Sequence, residues 1–242
     1  MVEVTTVSIP RYAHGYPEVA FGGYVAGVLA AHSEDPTELR VDFRAPVPIE
    51  QPLTITATES GGRALTDADG LLLAETAKAT VGIVVPAAPS WADAKAGTAA
   101  ALESLERPRT DCYGCGVECE PGRGMRLFSS KVPGHDLIAG AWTPAPELGD
   151  ADGNLSTEHV WSLLDCPGGW AAITMLGMQP GAVTAALTAT QLQPVSVGVE
   201  YISYSWAADR DGRKYTVGVA LATPGGDLCA VAEALWIQPR QR

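Results

Sequence analysis

The amino-acid sequence predicts an α+β protein made of two copies of one unit, each a helix followed by antiparallel strands. Three observations predict it: a weak internal repeat of domain-sized period, a change from helical to alternating periodicity inside each copy, and glycine-rich tight turns between the alternating stretches. The helices open the copies. Phe21-Gly-Gly-Tyr-Val-Ala-Gly-Val-Leu-Ala-Ala31 sets Val25, Val28 and Leu29 at helical spacing, and Ser156-Thr-Glu-His-Val-Trp-Ser-Leu-Leu-Asp-Cys166 does the same with Val160, Leu163 and Leu164. The glycines of the first helix lower its intrinsic helicity, so burial must hold it.

An extended segment follows in each copy: Val41-Asp-Phe-Arg-Ala-Pro-Val-Pro-Ile49 and Ala189-Thr-Gln-Leu-Gln-Pro-Val-Ser-Val197, with Pro194 in the place of Pro46. Leu53-Thr-Ile-Thr-Ala57 and Tyr215-Thr-Val-Gly-Val-Ala-Leu221 alternate as half-buried strands do. Ser60-Gly-Gly62, Asp69-Gly70, Asp211-Gly212 and Pro224-Gly-Gly-Asp227 supply hairpin turns. Leu73-Ala-Glu-Thr-Ala-Lys-Ala-Thr-Val81 and Val231-Ala-Glu-Ala-Leu-Trp-Ile237 close the copies, each with an Ala-Glu pair at the same place. A parallel sheet would need a helix between successive strands, and none is indicated. The copies are expected at residues 1–86 and 151–242. The stretch 87–150 connects them, starting with an amphipathic helix over 91–105 and continuing into a turn-rich block that holds three cysteines.

Composition narrows the function. The 242 residues carry 16 Lys and Arg against 28 Asp and Glu, a formal charge of -12. Counterion release on nucleic acid and attraction to anionic lipid are therefore unfavourable, and neither partner is expected. The first twenty residues lack the basic start and apolar run of a secretion signal, and the most apolar stretches are too short or too interrupted to span a bilayer. Five cysteines in a chain of this length suit a reducing compartment, so a cytoplasmic setting is expected.

The order of these segments resembles the hotdog-fold acyl-CoA thioesterases, here as a tandem, double hotdog with two antiparallel sheets each wrapped on one central helix. Leu163-Leu-Asp-Cys-Pro-Gly-Gly-Trp170 is similar to the helix of phenylacetate-type thioesterases, and Phe21-Gly-Gly-Tyr-Val-Ala-Gly27 to the N-terminal half of thioesterase-II-like enzymes. Cys112-Tyr-Gly-Cys-Gly, followed by Gly124-Met-Arg-Leu127, resembles a lead-in seen before single hotdog domains. In that family a site forms between two units, one giving the amides of a helix N-terminus and the other a carboxylate. The resemblance implies hydrolysis of acyl-CoA-type thioesters, with Gly22 and Gly23 stabilising the oxyanion and Asp165 activating water. The reciprocal site would pair Ala30 with Thr157 and Glu158 and has lost both parts.

The residues themselves leave alternatives open. Asp165, before Pro-Gly-Gly, also fits an ordinary turn or cap, and Gly22 and Gly23 also fit close packing of helix on sheet. Glu233 matches Glu75 of the other copy, which points to a structural role, although the resemblance to thioesterase-II-like enzymes implies a polar catalytic partner near it; Gln191 and Ser196 flank Pro194, where either could hydrogen-bond water or acyl group. Coenzyme A is anionic and needs local cations, for which Arg210, Arg213 and Lys214 of one hairpin are candidates. The ligand that the resemblance implies is an acyl-CoA or an acyl-carrier thioester, with no cofactor, and the chain is expected to be a monomer or a homodimer. Cys112, Cys115 and Cys119 have spacing that invites zinc, with Cys166 or Cys229 needed to complete four thiols, but the surrounding Gly and Pro explain a tight turn, and no metal is expected. Two other functions are a non-catalytic acyl-binding protein and an enoyl-thioester hydratase using His159.

Overall fold

In a computed structural model, residues 4–240 are described apart from 106 and 109. The chain begins with β1 (Val4–Val7) and a two-stranded ribbon of β2 (His14–Tyr16) and β3 (Val19–Ala20), then enters α1 (Gly22–Ala31). Four strands follow: β4 (Glu38–Phe43), β5 (Leu53–Ala57), β6 (Arg63–Thr66) and β7 (Leu72–Lys78). Next come α2 (Trp91–Glu103), β8 (Ser130–Lys131) and β9 (Ile138–Trp142). The last third holds α3 (Thr157–Leu163), α4 (Cys166–Leu176) and strands β10 (Val183–Gln191), β11 (Tyr201–Asp211), β12 (Lys214–Ala222) and β13 (Leu228–Ile237).

Eleven strands form a single antiparallel sheet in the order β1-β5-β6-β7-β4-β10-β13-β12-β11-β9-β8. Two separate sheets were expected; antiparallel pairing of β4 with β10, from Ala186 opposite Asp42 to Thr190 opposite Glu38, makes them one. These are the two proline-terminated segments of the repeat, so the extended segments that look alike are the ones that meet. Outward from that seam the order is β4, β7, β6, β5, β1 on one side and β10, β13, β12, β11, β9 and the two-residue β8 on the other. Strand β9 lies in the stretch expected only to connect the copies, yet it pairs with β11 at the far side of the sheet. The hairpin turns fall where glycine signals place them, with positive φ at Gly61, Gly70, Gly212 and Gly226.

One face of the sheet carries α1, α3 and α4. Val25 and Leu29 of α1 and Ala171 and Ala172 of α4 share a core with Val41, Leu53, Leu65, Leu187, Val217 and Val219. On the opposite face Tyr204, Trp206, Ala220 and Val231 are covered by α2 and residues around Val81 to Ala88. The second copy's helix is longer than expected and broken into α3 and α4 after Leu163.

Helices α1 and α3 cross backbone to backbone. A Cβ at Gly27 would stand 2.4 Å from the Cα of Glu158, and one at Gly23 would stand 2.8 Å from the Cα of Ser162. The absent side chains that weaken α1 in isolation are what let it dock, and the close packing is helix on helix rather than helix on sheet.

Gly27→Ala tests this contact. Helix propensity alone would favour the alanine by about 1 kcal/mol. Overpacking against a helix backbone that cannot move aside costs about 1–3 kcal/mol or more, so the denaturant midpoint is expected to fall at unchanged m-value.

Candidate functional site

The break between α3 and α4 makes the site. Pro167, in the first turn of α4, has no N–H to continue the ladder, and the residue at the junction is Asp165. An aspartate there would ordinarily cap its own helix, but this side chain makes no cap bond to α4. It crosses to α1 instead. Its Oδ2 accepts the Gly23 backbone N–H at 2.7 Å, and its Oδ1 accepts the Thr184 hydroxyl at 2.7 Å. The residue is 1% exposed. The carboxylate thus satisfies an amide that α1 cannot satisfy itself, at the positive end of that helix's dipole. A Cβ on Gly22 would come within 3.0 Å of Asp165 Oδ2 and 3.2 Å of Thr184 Oγ1, so a side chain at Gly22 would crowd the carboxylate.

Thr184 reaches Asp165 through an irregularity of β10. Leu187 and Ala189 face the helices, and strict alternation would turn Thr184 the other way with Thr188. The register against β13 steps from Thr184 opposite Trp236 to Ala186 opposite Leu235, leaving Ala185 as a bulge. The bulge puts Thr184 on the helix side, as bulges beside active sites commonly re-aim a side chain. Burial pushes the Asp165 carboxyl up to about 6, against the bonds from Thr184 and Gly23 that favour the anion; the nearby Cys115 thiol adds to the rise.

The cysteine block lies against this junction. Tyr113 N–H donates to the His14 carbonyl, and Leu127 N–H to that of Gly114, which threads the block beside the start of α1. Tyr113 is fully buried among Tyr12, Phe21, Tyr24 and His159. Cys112 and Cys115 meet Cys166, the residue after Asp165, with ligand atoms within 4.8 Å of one another. Cys119, expected to belong to the same run, turns its sulfur toward Glu120 and the backbone at Gly124.

No protein-family model matches the sequence, and no curated protein matches it. Solved structures do. The tesB protein of Mycobacterium avium subs paratuberculosis superposes with a TM-score of 0.66 at 12% identity, over 99% of this chain and 96% of that one. An acyl-CoA thioesterase II, TesB2 of Mycobacterium marinum, gives 0.59 at 15% identity over 100% and 96%. A conserved protein of unknown function with hot dog fold from Alicyclobacillus acidocaldarius gives 0.63 at 15% identity over 100% and 97%. The chain has the hotdog fold.

Within that fold the other candidate residues are dispersed. Gln191 is at the far end of β10 from Thr184, roughly 20 Å along the strand, and its amide donates to the Gln193 carbonyl. Ser196 donates to Asn154 Oδ1 at 2.9 Å, and its N–H to the Tyr201 hydroxyl. Glu233 is opposite Thr188, which is in turn opposite Arg40, in a row on the face turned away from α1 and Asp165. Arg210 donates to the Leu176 carbonyl at the other end of α4 from Asp165, about 16 Å along the helix. Arg213 donates to the Gln238 carbonyl, and Lys214 is exposed. His159 has Nδ1 on the Leu148 carbonyl at 2.8 Å, and burial holds its pKa down. Of the expected set, the structure brings together Asp165, Gly22 and Gly23. Thr184 joins them without any signal in its local sequence, where alternation assigns it to the opposite face.

Two predictions follow from a buried carboxyl whose folded pKa lies above its unfolded value near 3.9. The folded state binds the extra proton between those values, so this group makes stability fall as pH rises from about 4 through about 6. Asp165→Asn removes the titration while its Oδ1 accepts from Gly23 and its Nδ2 donates to Thr184. It is expected to be more stable than wild type above pH 7, by an amount on the order of 2–3 kcal/mol, and to lose that advantage near pH 4, as read from denaturant midpoints across pH. Thr184→Val leaves the buried carboxylate short of a donor and is expected to cost about 1–3 kcal/mol at pH 8.

Proposed function

We propose that this chain hydrolyses thioesters of the acyl-CoA type at one site between two fused hotdog units, with Asp165 as the group that activates water. The observation that carries the proposal is the 2.7 Å bond from the Gly23 amide to a carboxylate 142 residues away, in a buried junction between helices. Two-unit organisation is supported by the strand order, which repeats outward from the β4–β10 seam, and by the helix contact. Setting Gly22 against Thr157 matches Gly23 to Glu158 and Gly27 to Ser162. The two close approaches, Gly23 to Ser162 and Gly27 to Glu158, then exchange with one another as a two-fold axis requires. The place matching Asp165 is Ala30, buried and without chemistry, so one site remains.

In this mechanism each carboxylate oxygen, already holding one donor, keeps a second acceptor position for a water proton. Water polarised there attacks the thioester carbonyl, Asp165 takes the proton, and the thiolate leaves. Because the Gly23 amide is committed to Asp165, the developing oxyanion falls to the free amides of the first turn of α1, Gly22 first among them. Thr184 holds the carboxylate in place without touching the substrate. The hydratase reading finds less support, since His159 is ringed by Tyr24 and Tyr113 and bonded to a backbone carbonyl. A binding-only role leaves unexplained why an ionisable group is kept in a place that disfavours its charge.

The test is thiol release from a panel of acyl-CoA and acyl-carrier thioesters of varied chain length. Wild type is expected to turn over at least one member, and Asp165→Asn to lose about 10²–10⁴-fold in kcat while remaining folded. No turnover across the panel, or a variant at full rate, overturns the proposal.

A further inference from the structure

Cys112, Cys115 and Cys166 come from two segments far apart in the chain, and their sulfurs lie within 4.8 Å of one another, the Cys115 and Cys166 pair at 2.9 Å. Gly114 makes this approach possible. A Cβ there would stand 2.9 Å from the Cβ of Cys166 and 2.6 Å from the Phe21 ring, so only a bare backbone lets the turn sit on the start of α4. The other two cysteines, Cys119 and Cys229, are not part of the group.

A second observation stands beside the thiols. Arg107 is 8% exposed, and its Nε and Nη2 have no hydrogen-bond partner. Its guanidinium lies 4.1 Å above the Trp170 ring, and the Trp170 indole N–H points to the Cys115 sulfur at 3.2 Å. Its one polar contact is a long 3.5 Å bond to the Ser129 carbonyl, and no carboxylate among the described residues pairs with it. A buried cation without a counter-charge costs several kcal/mol.

We propose that Cys112, Cys115 and Cys166 bind a soft divalent cation of the zinc type as three thiolates, with Arg107 balancing the resulting charge. Three thiolates on a dication carry a net charge of minus one, which one guanidinium neutralises. Tetrahedral coordination at about 2.3 Å per Zn–S bond sets the sulfurs roughly 3.8 Å apart, inside the span observed. The three thiol protons are released to solvent on binding. The fourth corner is left to water, since no other His, Cys, Asp or Glu among the described residues joins the group. The indole N–H of Trp170 serves as an outer donor to one thiolate, as partners in the surroundings of metal ligands do. The bound ion ties the turn at 112–115 to the first residue of α4.

The experiment uses the full chain, purified under reducing conditions, stripped with chelator and titrated with Co²⁺ and Cd²⁺. A thiolate-to-metal charge-transfer band saturating at one equivalent, and displaced from cobalt by Zn²⁺, is expected. Cys166→Ser is expected to weaken binding at least 100-fold, Arg107→Gln about tenfold, and Cys119→Ser not at all. Should Cys166→Ser fail to fold, alkylation of wild type with and without Zn²⁺, mapped by mass, reads the same site: Cys112, Cys115 and Cys166 are protected together and Cys119 is not. Absence of the band, a band unchanged in Cys166→Ser, equal alkylation of all cysteines with and without Zn²⁺, or a Cys115–Cys166 disulfide in the reduced preparation each overturns the assignment. These readouts need no turnover, so they stand or fall apart from the thioester reading.

Discussion

The structure turns on how closely α1 and α3 approach. With Gly23 and Gly27 between them, the helix backbones touch, and the chain just beyond α3 arrives within hydrogen-bonding reach of the start of α1. Any larger residue at those two places would part the helices and leave Asp165 as a charge in a gap. The short segment between Leu163 and Cys166 is equally constrained, because Pro167 forbids a continuous helix that would carry the aspartate past its target.

The two sides of the β4–β10 seam run in matching strand order, and α1 and α3 cross at matching positions, but the residues at those positions differ. Asp165 is matched by Ala30, and the broken helix of the second half by an unbroken one in the first.

Much of the plan was legible because the signals are local. Period-2 runs, glycine turns and the Gly22-Gly23 opening each depend on a few neighbouring residues, and Asp165 stood out through the resemblance of residues 163–170 to a thioesterase helix. What was not legible is non-local or a matter of parity. Residues 138–142 form a strand because β11 offers them an edge, and residues 112–115 meet Cys166 from a distant part of the chain. Glu233 was a candidate only through the thioesterase-II-like resemblance, its match with Glu75 pointing to structure, and strand alternation places it with Arg40 and Thr188 on the other face. Trp206 and Val231 are buried on the outer face because α2 and the residues around Val81 to Ala88 cover them, which is why both faces of the last strands are apolar.

The bulge at Ala185 has a consequence for how this chain can vary. Thr184 meets the carboxylate because one surplus residue reverses the in-and-out order of β10. Substitutions along that strand preserve the count and so preserve the aim. Losing a single codon would turn the hydroxyl to the outer face while every remaining amino acid stayed the same, so length guards this contact more strictly than identity does.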